Sequence, residues 1–144
     1  MPDKLTWSAK VQISGGPSIS TAQSLDVTAY DKVEIVVPGE DKANAAEPGS
    51  SAANVAALTA ISVEVQPTAV ASRVQAIAIS SDSFGADLIY TVTGGVENVS
   101  LDAAHVIVGE GAITSFLDAS PETLVFRNGL GAGNDAVVTI LVGR

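Results

Sequence analysis

Cysteine is absent from the 144 residues, and histidine and tryptophan occur once each. Such a chain builds no disulfide framework, no thiolate nucleophile and no sulfur-ligated cluster. Metal sites made from histidine and cysteine groups are excluded by count. Charge is scarce too. Only 16% of residues are Asp, Glu, Lys or Arg, against about a quarter in an ordinary soluble domain. Sixteen acidic and seven basic residues leave a net charge of -9, which repels nucleic acid and anionic membrane. No apolar run is long enough to span a membrane, and the opening MPDKLTWSAK lacks the apolar core of a secretion signal. The expectation is therefore cytoplasmic synthesis, with neither a nucleic-acid nor a membrane partner.

What is abundant is apolar residues in short alternating runs. Hydrophobic residues make up 47% of the chain, and a length of 144 suits one domain spanning residues 1–144. Leu5, Trp7, Ala9, Val11 and Ile13 alternate with polar residues, the period of a half-buried strand. This alternation points Trp7 into the core. Leu25, Val27 and Ala29, then Val33, Ile35 and Val37, repeat the pattern as two strands or one bent one, with Tyr30 on the opposite face. Further strands are expected at Ile61–Val65, Val74–Ile79, LIYTV, Val106–Val108, Leu124–Phe126 and Val137–Val142. ITSFLD suits a short turn or helix, and the polar stretch 38–51 reads as a long loop. The alanine-rich AANVAALTA fits a helical turn or small-residue packing. Short strands at regular spacing predict an all-β fold, an antiparallel β-sandwich or jelly roll of about eight to nine strands.

Several motifs invite a chemical reading. Gly129, Gly131 and Gly133 in NGLGAGND resemble phosphate-cradling loops, but a dinucleotide fingerprint opens a helix and a Walker loop needs lysine followed by Ser or Thr. Here the next segment is AVVTILV, a strand, so the run reads as a turn between strands. His105 has the residue type of a general base, yet the sequence sets no nucleophile or orienting group beside it. Asp82 and Asp87 flank Gly85, and Glu40 adjoins Asp41, but neither spacing is that of a calcium loop. Asn98-Val99-Ser100 matches a glycosylation acceptor without a secretion signal to give it meaning. The expectation is no catalytic site, no bound metal and no cofactor.

One contrast concerns the surface. VQAIAI, HVIV and AVVTILV are apolar on both faces, whereas a strand of an isolated two-layer sandwich shows one face to water. Either the long polar loop 38–51 or neighbouring subunits would cover such faces, and the low charge density favours subunits. Val74, Ile77, Ile79, Val106, Val108, Val138, Ile140 and Val142 are thus the candidate contact residues.

The progression from YDKVEIVVPG through VEVQP, AIAISSDSFGADLIYTVTGG and ETLVFRNG to AVVTILVGR resembles the small β-sandwich structural proteins of tailed bacteriophages, such as capsid decoration and head-fibre proteins. The resemblance implies a non-enzymatic homo-oligomer, a trimer or other ring, bound to a larger protein shell at a virion or particle surface. The other class that the composition admits is a carbohydrate-binding or adhesive sandwich, although few aromatic residues are present to stack on sugars.

Overall fold

The computed structural model describes residues 3–27, 29–41, 58–66, 74–93, 97–117 and 122–144. The alternating segments pair as antiparallel strands: β1 (Asp3–Gln12), β2 (Ser18–Val27), β3 (Tyr30–Val37), β4 (Ile61–Gln66), β5 (Ala76–Ser81), β6 (Leu88–Val92), β7 (Val99–Ser100), β8 (His105–Val108), β9 (Glu122–Asn128) and β10 (Ala136–Gly143). The helix α1 (Glu110–Phe116) lies between β8 and β9 and buries Ile113. Most of the long polar stretch 38–51 and of the alanine-rich segment after it lies outside the described residues.

Eight strands form two four-stranded sheets, ordered β3-β10-β5-β8 and β4-β9-β6-β7. The chain crosses between sheets at every step except β6 to β7, and its first and last sandwich strands, β3 and β10, are neighbours. That order is a jelly roll, in which two Greek keys wrap around one core. The remaining pair, β1 and β2, forms a separate two-stranded ribbon.

The inner faces of the two sheets share one apolar core. One sheet supplies Val37, Ile77, Ile79, Val138 and Ile140, and the other supplies Leu88, Tyr90, Val92, Leu124 and Phe126. Burying each such side chain contributes about 1.5–3 kcal/mol. Six residues expected to meet other subunits, Val74, Ile77, Ile79, Val138, Ile140 and Val142, lie in this core and are at most 3% exposed. A strand apolar on both faces still turns one face inward, and composition alone does not mark which one. Their surface is therefore already covered within the chain, and only Val106 and Val108 of the eight remain on an outer face.

Buried polar contacts lock the closure. Asn128 is fully buried; its Nδ2 donates to the carbonyls of Val37 (3.1 Å) and Asn134 (2.8 Å), and its Oδ1 accepts from the Leu130 amide (2.9 Å). One side chain thus ties β3 to the β9–β10 connection. Arg144 pairs with Asp31, and its Nη2 donates to the Val65 carbonyl at 2.7 Å, linking the chain end to β3 and β4. Leaving buried amides and carbonyls unpaired costs about 1–3 kcal/mol per group. Asn128→Ala should accordingly lower stability by about 3 kcal/mol, read as an earlier urea midpoint with an unchanged slope.

Candidate functional site

The amides of the glycine-rich connection between β9 and β10 are taken up by hydrogen bonds, mostly to neighbouring segments. Gly129 N donates to Asp87 O (2.8 Å), Gly131 N to Glu40 O (3.2 Å), Ala132 N to Asp41 Oδ1 (3.1 Å) and Asn134 N to Gly131 O (3.1 Å). Asp135 Oδ1 in turn accepts from Gly39 N at 2.9 Å. A phosphate site needs free amides and no nearby carboxylates, and this loop presents the reverse. The glycines serve close packing instead. A Cβ on Gly39 would lie 2.4 Å from the Gly131 carbonyl oxygen, and Gly131 and Gly133 take φ of 111° and 83°, values that side chains disfavour.

His105 lies in an aromatic cluster. Its Nδ1 is 2.8 Å from the Tyr90 hydroxyl, and the phenol donates when Nδ1 carries no proton. The Tyr90 ring packs edge-on against His105 and Phe116 and tilted against Phe126. A cleft of about 490 Å³ opens beside it, lined mainly by Val99, Ile107 and Phe116. Asp82, one of the residues weighed as a calcium ligand, accepts from the Val137 amide at 2.8 Å and so joins the end of β5 to β10. Among the described residues, no group of three or more His, Asp or Glu side chains gathers to hold a metal. Asn98 of the acceptor-like tripeptide takes a left-handed φ of 53° and bonds to Thr91 as the chain enters β7.

The surface that stands out is the ribbon. In the β1–β2 register, Leu5 faces Leu25, Trp7 faces Gln23, Ala9 faces Thr21 and Val11 faces Ile19. Alternation places all of these on one side, while Lys4–Asp26, Thr6–Ser24, Ser8–Ala22 and Lys10–Ser20 form the other. The ribbon is amphipathic over its whole length of about 34 Å, at about 3.4 Å per residue. A tight turn closes it, with Gly16 N donating to Ile13 O at 2.8 Å and Gly15 at φ 71°.

The root of this arm lies on the outer face of the β3-β10-β5-β8 sheet. A Cβ on Gly143 would come within 3.0 Å of Leu5 Cδ1 and 3.2 Å of Val27 Cγ1, so glycine there permits the close approach. Trp7 is half-buried on the arm rather than in the sandwich core, because its strand belongs to the ribbon. Beyond the root the apolar side leaves the body. Val11, Ile13 and Ile19 are 68%, 62% and 74% exposed.

The outer sheet face is also incompletely covered. Cross-strand rows align Lys32, Leu141, Ala78 and Val106, and then Tyr30, Gly143, Ala76 and Val108. Its only charges are Lys32 and Glu34 on β3, and Val36 and Val106, near its two edges, are both 56% exposed. Of the contact residues expected from the sequence, Val106 and Val108 lie on this face; the arm tip is not among them, because the first alternation reads in sequence as an ordinary half-buried strand. The neighbouring polar run SISTAQS, which pairs with it, is the sequence sign of a ribbon with a solvated side.

Compared with protein-family models, curated proteins and solved structures, the chain matches none. Among the described residues no helix is long and apolar enough to cross a membrane.

Burial pushes the Tyr90 hydroxyl up to about 12 from an ordinary 10.0. Because the folded value is the higher one, the neutral phenol stabilises the fold fully below pH 10.0, and this contribution is lost as pH rises through about 12. Tyr30→Phe leaves Tyr90 as the sole tyrosine. Its tyrosinate absorbance should then rise only near pH 12, and a rise near 10 with the fold intact would show the ring open to water.

Proposed function

We propose that this chain is a non-enzymatic structural protein that self-associates and builds or decorates a larger protein particle such as a phage-like capsid. The observation that carries the reading is the arm, whose apolar side continues past the body with three large aliphatic side chains in water. A lone two-stranded ribbon is marginal in water, and its two free edges invite pairing. Covering even one of those side chains contributes about 1.5–3 kcal/mol.

The sparsely charged outer sheet face, with Val36 and Val106 both 56% exposed on it, supports the same reading, since exposed apolar surface marks places where proteins meet. Jelly rolls recur as shell-building domains. In this reading the unit is a closed homo-oligomer, a trimer or other ring, at a virion or particle surface. The net charge of -9 turns it away from nucleic acid and membrane and toward protein.

Replacing Val11, Ile13 and Ile19 together by Ser tests this without touching the core. Light scattering on a sizing column should give a discrete oligomer for the unaltered chain and a single chain for the variant, with the same far-UV circular dichroism. An oligomer of unchanged mass in the variant would contradict the proposal.

A further inference from the structure

We infer that the arm docks in trans: the apolar tip of one copy lies on the outer face of the β3-β10-β5-β8 sheet of the next copy. The inference rests on the self-association reading and names its contact. Its first support is continuity. The root of the arm already uses the same side of the ribbon against the same sheet face of its own chain, with Leu5 and Val27 over Gly143. A cleft of about 300 Å³ beside this contact is lined by Leu5, Val27, Tyr30 and Leu141, together with Asp3 and Lys4. On β1 the stripe runs from Leu5 through Trp7 and Ala9 to Val11, while Thr21 and Gln23 interrupt it on β2; root and tip are both aliphatic, so what fits the root fits the tip.

The second support is what the root leaves uncovered. Val36 on β3 and Val106 on β8 are both 56% exposed on strands at opposite edges of the face; half-buried Val137 lies beside the first and half-buried Ala78 and Val108 beside the second, with the polar row Glu34, Thr139 and Ser80 separating the two patches. Valine and isoleucine at the tip have matching chemistry. The third support is charge. Between residues 8 and 25 the only charged side chain is Lys10, while the chain as a whole carries -9. The outer half of the arm therefore approaches an acidic body without like-charge repulsion, and Lys10 lies on the ribbon side that stays in water. A contact of tip on face joins two different patches, so it is head-to-tail, and such contacts close into a ring when the rotation permits.

The absence of cysteine makes the test clean. Ile19→Cys is placed in one tagged copy, and Val36→Cys or Val106→Cys in a second copy carrying a different tag; the two are co-expressed and oxidised. Each chain then holds one thiol, so every disulfide joins two copies. All three positions are exposed, and circular dichroism of each variant checks that it folds. The inference expects a mixed disulfide between Ile19→Cys and at least one face position, several-fold above the amount in a control pairing of Ile19→Cys with Ser115→Cys on α1. A discrete oligomer that yields only disulfides between two Ile19→Cys arms would overturn docking on the sheet and leave self-association standing. A monomeric unaltered chain would remove both.

Discussion

The hydrogen-bonded position of β10 is the constraint from which the rest follows. It is paired with β3 along one side and with β5 along the other, so the last strand closes the sandwich against the first. Its inward residues, Ala136, Val138, Ile140 and Val142, are buried and alternate with half-buried outward ones as far as Gly143, which is itself buried. The contacts of Asn128, Asp82 and Arg144 all hold this strand or its flanks in register. Its glycine, Gly143, lets the arm root lie against the sheet.

Closing the sandwich consumes one face of each strand and leaves the other to be dealt with. On the β3-β10-β5-β8 sheet the outer face is partly covered by the arm of the same chain, and the arm brings further apolar surface of its own. Folding of one copy thus covers the end of the sheet around Gly143 and Ala76 and exposes valine and isoleucine elsewhere. In water such an arrangement favours association, and the low charge density does little to oppose it.

Much of this was legible in the sequence. Period-two alternation marked β1, β3 and β4, short apolar runs bounded by turn residues marked β6 and β10, and the strand following NGLGAGND marked that run as a connection between strands. The short strand β7 was not legible, since two residues carry no period, and neither was the polar first half of β2, which is a strand because β1 pairs with it. Alternation also could not say whether Trp7 faced a core or a ribbon root. For Ile77, Ile140 and their neighbours, apolar residues on both faces signalled unusual burial, but only register separates the inner row from the outer. The tip residues Val11, Ile13 and Ile19 were plain in the pattern, yet their exposure depends on the ribbon being separate from both sheets, which is a fact of topology. Gly39 shows the same limit, because its need for glycine comes from the Gly131 carbonyl, distant in sequence.

The central claim is that apolar surface left by the fold is covered by other copies of the chain. Sedimentation equilibrium of the unaltered protein at low and high salt tests it most directly, since screening weakens exposed ionic contacts and leaves apolar ones in place. The account predicts one discrete oligomer whose mass is the same or larger in high salt. A single chain at both salt concentrations, across the micromolar range, would contradict it.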